Sequence, residues 1–145
     1  MVTSIKGLIA LHEGRVPHAY QDSLGYWTIG VGHLIDKRKG GKLPERIIDD
    51  LLAYDISEVE AGLHEALPWT LPMSYTDPVR YAVLVDMAFN LGVPGLLKFK
   101  NTLEYVRTGQ WVNAGAGMLA SLWASQVGSR ARRLANMMRD GKWPD

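Results

Sequence analysis

The sequence predicts an α+β protein, mostly helical. Apolar residues recur at helical spacing over most of residues 44–145, a short aromatic and β-branched stretch lies near the start, and glycine or proline stands where the periodicity breaks. The chain has 145 residues, 47% of them hydrophobic, which suits a packed core and excludes a disordered polymer. Sixteen Lys and Arg stand against 15 Asp and Glu, a formal charge of +1, so composition gives no support to a general nucleic-acid binder. Cysteine is absent, which excludes a disulfide framework and thiolate metal sites. Apolar runs are interrupted by Lys6, His12, Asp86 or Lys98, well short of the roughly 20 residues that span a bilayer. No signal-peptide pattern is evident from Met1 to Gly14, so the expectation is a soluble monomer made in the cytoplasm, without stable membrane insertion.

Thr3 or Ser4 caps a first helix that carries Ile5, Leu8 and Ile9 on one side and stops at Gly14, placing Glu13 in its last turn. Ala19 to His33 favours strands, with Asp22-Ser23-Leu24-Gly25 as the turn of a hairpin; Gly30 and Gly32 in the return strand indicate a backbone that something approaches closely. Asp36 to Lys42 is charged, glycine-rich and expected as a loop. Pro44 suits the first position of a long helix with Ile48, Leu51, Leu52, Ile56, Val59 and Leu63 as its stripe and Asp55 set into it, ended by Pro68 and Pro72. From Glu45 to Glu65 seven acids face one arginine, the pattern of a solvated helix face. Asp77-Pro78 opens the next helix and Gly92 closes it; Asn101-Thr102 reads as a further cap, Trp111 to Trp123 as one helix, and Ser129 to Asp140 as the last, closed by Gly141.

Glu13, Asp22 and Thr28 form the informative constellation. Glycoside hydrolysis needs two carboxyl groups in unlike settings: one protonated to serve the leaving oxygen, one ionised to activate water. A helix C-terminus favours the neutral acid at Glu13, and a turn lined with N–H groups favours the carboxylate at Asp22. Spacing alone leaves a second reading open, in which Glu13 is a surface acid before a glycine stop and Asp22 a turn former.

The surrounding residues add more. His12-Glu13-Gly14 followed by Tyr20-Gln21-Asp22-Ser23-Leu24-Gly25-Tyr26-Trp27-Thr28-Ile29-Gly30-Val31-Gly32-His33 closely resembles the active-site segment of the phage-type lysozyme (endolysin) family. The resemblance continues through Phe89-Asn90-Leu91-Gly92, Phe99, Asn101-Thr102-Leu103, Trp123 and Arg130-Ala131-Arg132-Arg133, in the same order along nearly the whole chain. It implies a single lysozyme domain with a hairpin lobe at about 14–43, a connecting helix at about 44–67, and a helical lobe made of about 68–145 with helix 3–13. It implies hydrolysis, by inversion, of the β-1,4 bond between N-acetylmuramic acid and N-acetylglucosamine in bacterial peptidoglycan, without cofactor or metal. Glu13 then matches the general acid, Asp22 the group that activates water, and Thr28 the hydroxyl beside that water. Gly30, Asn90 and Arg130 match substrate-binding positions, Arg130 facing the catalytic acid and favouring its ionised form; His33 and Asp55 match a structural ion pair. Accumulation in the host cytoplasm and holin-dependent release to the periplasmic wall are likewise implied by the family. Ten residues separate His33 from Pro44, fewer than in longer members, so the site edge should differ there.

Competing signals are weaker. Gly30-Val31-Gly32 lacks the third glycine of a phosphate loop and a strand is expected to run through it. The four histidines show no metal spacing. Trp69, Trp111, Trp123 and Trp143 are expected to pack in the core or between helices, and Trp27 to pack behind a Thr28 that faces the site. Residues 130–145 carry five basic groups against two acids, a packing helix with a basic face that could touch anionic envelope. A lytic transglycosylase would need the glutamate alone, and a non-catalytic wall-binding phage component would need neither acid.

Overall fold

The computed structural model describes residues 2–21, 24–36 and 42–144. The chain divides into two compact units, Met1–Leu51 and Leu52–Asp145.

In the first unit, helix α1 spans Ile5–Glu13, where the Ser4 hydroxyl accepts from the Gly7 N–H and Gly14, at φ 76°, ends the helix. Strands β1 (Val16–Gln21), β2 (Trp27–Gly30) and β3 (His33–Asp36) form an antiparallel meander in the order β1-β2-β3. This is one strand more than the expected hairpin. The return strand does not run through Gly30-Val31-Gly32: Gly30 and Gly32, at φ 70° and 65°, let the chain turn there and re-enter the sheet at His33. Thr28 lies opposite Tyr20 on one side and Leu34 on the other, so β2 is the central strand. Most of the loop expected from Asp36 to Lys42 lies outside the described residues; beyond it the Lys42 N–H returns to the Ile35 carbonyl at 2.9 Å.

Helix α2 (Glu45–Ala66) begins one residue after Pro44, whose carbonyl accepts from the Ile47 and Ile48 N–H groups. Its apolar stripe changes character along its length: Ile48, Leu51 and Leu52 are exposed, whereas Val59 packs on the core and Leu63 is fully buried.

The second unit holds α3 (Thr70–Thr76), α4 (Pro78–Leu91), α5 (Val93–Leu96), α6 (Lys100–Arg107), α7 (Trp111–Leu119), α8 (Leu122–Val127) and α9 (Ser129–Asp140). Pro72 lies in the first turn of α3 rather than ending a segment, since a proline there forfeits no helical hydrogen bond. As the sequence suggests, the Asp77 carboxylate accepts from the Arg80 N–H ahead of Pro78, and Gly92 follows α4. Two expectations give way. Asn101 and Thr102 lie inside α6, because Thr102 is buried against α7, where a Cβ on Gly117 would meet its Oγ1 at 2.5 Å. Trp111 to Trp123 is broken at Ala120, and Ser121 caps α8 with its hydroxyl.

The core is built from α2's last turns and α3–α9, and it contains five buried methionines: Met73, Met87, Met118, Met137 and Met138. Helix α7 sits close on α9, with a Cβ on Gly115 only 3.1 Å from the Ala135 carbonyl oxygen. Trp123 is buried edge-on to Phe99, and Trp69 and Trp111 are half-buried against the core. Trp143 departs from expectation, at 61% exposed.

Arg80 binds three helices together. Its Nε donates to the Met138 carbonyl at 2.6 Å, one terminal nitrogen to the Arg139 carbonyl at 3.1 Å, and the other to Asp77 at 2.9 Å. The guanidinium lies 4.1 Å from the Trp111 ring centre. It therefore caps the C-terminus of α9 while its side chain is only 14% exposed. Arg80→Ala should lower unfolding free energy by about 3 kcal/mol in urea titrations, with Arg80→Lys recovering only part because an ammonium cannot fork between these acceptors. Gly141→Ala, at φ 67° and with its Cβ 2.9 Å from the Arg80 guanidinium, should cost about 1–2 kcal/mol.

Candidate functional site

In the first unit Glu13 is the last residue of α1, and its carboxyl lies over the turn between β2 and β3. A Cβ on Gly32 would meet the Glu13 Cδ and Oε2 at 3.0 Å, so glycine there leaves the acid its space. The close approach expected for Gly30 and Gly32 is thus found at Gly32, while a Cβ on Gly30 would meet nothing within 4 Å. Gly30 instead lines a pocket of about 350 Å³ with Arg15, Val16, Pro17 and Val31. Thr28 is buried and donates from its hydroxyl to the Tyr26 carbonyl at 3.2 Å, leaving the oxygen's lone pairs for a donor. The strand alternation is as expected, but Trp27 is 43% exposed instead of packing behind Thr28. Asp22 lies outside the described residues. His33 opens β3.

In the second unit Asp55 lies on α2. Asn90, near the end of α4, accepts at Oδ1 from the buried Trp123 indole N–H at 2.8 Å. An indole only donates, so the amide oxygen must face it, and the Asn90 amide NH₂ is left to donate elsewhere. Arg130 makes a bond the sequence did not reveal. Its Nε and one terminal nitrogen both reach Asp86 Oδ1 at 2.8 Å. This pair borders a groove of about 460 Å³ whose other walls include Leu52, Ile56, Val85 and Phe89. The available signal was an acid among the apolar positions of α4.

A second cluster unread in the sequence sits on the same groove. Tyr81 donates to Glu60 Oε2 at 2.8 Å and lies 2.7 Å from His64 Nε2. The phenol has one proton and gives it to Glu60, so His64 must donate from Nε2. Burial, then the Glu60 carboxylate, pushes the Tyr81 phenol far above its usual range. A raised value means that stabilisation from this bond is complete below the phenol's ordinary value of about 10 and is lost as pH climbs through the shifted one. Among the described residues no three His, Asp or Glu side chains group as a metal site, and no helix is long and apolar enough to cross a membrane.

Residues 10–139 match the phage lysozyme family, and the chain belongs to it, a family of lysozyme-like, peptidoglycan-hydrolysing glycosidases. Its α+β architecture, helical with a small antiparallel sheet, agrees with that membership. It is 28% identical to "Probable T4-type lysozyme 1" of Dictyostelium discoideum over 97% of this chain and 96% of that one. It is 30% identical to "Endolysin" of Acyrthosiphon pisum secondary endosymbiont phage 1 over 72% of this chain and 73% of that one. It is also 25% identical to "Pre-baseplate central spike protein Gp5" of Enterobacteria phage T4 over 95% of this chain but 28% of that protein.

Two outcomes follow from this geometry. Gly32→Ala should cut hydrolysis of cell-wall substrate by on the order of tenfold, as measured by reducing-end release, because the new methyl group displaces the Glu13 carboxyl. In an ultraviolet titration of the six tyrosines, Tyr81 should ionise last, and Tyr81→Phe should remove that final step.

Proposed function

We propose that the protein is a muramidase that hydrolyses the β-1,4 bond between N-acetylmuramic acid and N-acetylglucosamine of peptidoglycan, with inversion, in the service of host cell lysis. The observation that carries this reading is the Glu13 carboxyl, set at a helix end over the Gly32 turn, beside the sheet whose central strand bears Thr28. Glu13 donates a proton to the leaving sugar oxygen as the glycosidic bond breaks. Asp22 removes a proton from the attacking water, and the Thr28 hydroxyl accepts from that water to fix its approach. Glu13, Asp22 and Thr28 all belong to the first 51 residues. Within the helical unit Asn90, its amide oriented by Trp123, is the donor to a sugar or peptide carbonyl and Arg130 a substrate-binding residue; within the first unit Gly30 is another. Made in the host cytoplasm, the enzyme reaches the wall after holin opens the membrane.

Glu13→Gln should reduce turnover about 100-fold or more while leaving the melting temperature nearly unchanged. Mass spectrometry of digested sacculi should show free reducing ends; anhydro sugars would instead assign a transglycosylase, and binding without release a structural wall component. The α-anomer in freshly formed product, seen by NMR, tests inversion.

A further inference from the structure

Asp86 is the one acid inside α4 and stands between Val85 and the fully buried Met87. A carboxylate among such neighbours gives up water without gaining packing, so it needs a partner. Arg130 supplies one. Its Nε and one terminal nitrogen both donate to the same oxygen, Asp86 Oδ1, each at 2.8 Å, while its other terminal nitrogen has no hydrogen-bond partner among the described residues. Both side chains are 39% exposed, and an ion pair so open to water adds little to stability. What the pair fixes is direction. A guanidinium is rigid and planar, so two donors on one acceptor set its plane, and with it the direction of the remaining N–H groups.

We propose that Asp86 is a positioning residue for the glycan: it aims the Arg130 guanidinium and cancels its charge, so that Arg130 serves as an uncharged hydrogen-bond donor to a sugar hydroxyl or acetamido carbonyl. The proposal rests on the hydrolase reading above, which makes Arg130 a substrate-binding residue.

Asn90, one turn further along the same face of α4, is built in the same way. Its amide oxygen is taken by the Trp123 indole, which leaves the NH₂ to donate. Each donor is thus held from behind by a group that itself stays off the ligand, Trp123 for Asn90 and Asp86 for Arg130. Charge decides the kind of acceptor. A lone guanidinium on the surface attracts any anion within reach, and dissolved salt competes for it. With Asp86 at 2.8 Å the pair carries no net charge, and aimed N–H groups are what remains. Uncharged oxygens suit such groups, and a wall glycan carries them as hydroxyls and acetamido carbonyls. Lysine could not replace Arg130, because an ammonium on Asp86 would keep no fixed direction for its other donors.

The test is a double-mutant cycle in the full chain: Asp86→Asn, Arg130→Gln and the two together. Each is assayed by reducing-end release from soluble uncrosslinked peptidoglycan strands, and by calorimetric Kd for the same strands in a Glu13→Gln background. Asp86→Asn should raise KM and Kd about fivefold, leave kcat within twofold and the melting temperature unchanged, and add nothing once Arg130→Gln is present. Its KM should also climb more steeply with chloride than that of the wild type, since an unmatched Arg130 gathers anions. Arg130→Lys, which keeps the charge but not the fork, should bind as weakly as Arg130→Gln. Wild-type KM and Kd in Asp86→Asn overturn the proposal. So does a KM rise that persists undiminished beside Arg130→Gln, or a wild-type KM in Arg130→Lys. Cleavage by the wild type with a flat cycle sinks only this inference. Binding without cleavage, with the cycle intact in Kd, supports it and sinks the hydrolase reading.

Discussion

Arg80 is the constraint on which the helical unit depends. A cation this poorly exposed must find its full complement of partners, and they come from three directions: Asp77 ahead of α4, two carbonyls ending α9, and the face of Trp111 beginning α7. Six residues further along α4, Asp86 is reached by Arg130, which lies nine residues before Arg139 on α9, so the two helices run antiparallel and are pinned at both contacts. That pinning sets the positions of the polar side chains along the α4–α9 seam. Asp86 and Asn90 belong to α4 and Arg130 to α9, Asp86 meeting Arg130 directly and Asn90 meeting Trp123 of α8.

The first unit solves a different problem with less material. Its acid is fixed by where a short helix stops, its hydroxyl by a central strand, and the space between chain segments by one glycine at φ 65°. Large side chains contribute little to this. Leu8, Ile9 and Leu11 of α1 are exposed, and Thr28 is the buried residue of its strand. Backbone geometry therefore places the Glu13 carboxyl and the Thr28 hydroxyl, whereas packing places the polar side chains of the helical unit.

Elements with chemically marked ends were legible in the sequence. Ser4 and Gly14 delimit α1, Asp77-Pro78 and Gly92 delimit α4, and Gly141 follows α9, because caps and stops act through the residue itself. Strand β3 escaped because four residues, His33 to Asp36, hold only two apolar side chains and look like the loop they enter. The break before α8 escaped because Ala120 carries no breaker, and the Ser121 cap is chosen by packing. Within the candidate site, the Glu13–Gly32 approach could be anticipated, since only glycine tolerates such proximity. The partners Asp86–Arg130 and Asn90–Trp123 could not, being 44 and 33 residues apart. Periodicity names the face a side chain occupies and leaves open which helix will meet it.

A core that holds five thioethers and a chain that holds no thiol give the protein an unusual relation to oxidants. Peroxide has no cysteine to attack, and the methionines of α3, α4, α7 and α9 lie beneath their helices. The sulfurs of Met87, Met118 and Met138, fully buried, become reachable only when those helices part, and a sulfoxide, once formed, is too polar to be reburied without cost. Oxidation at these three positions thus counts openings: each sulfoxide there is a mark left by one excursion of the helical unit out of its packed state.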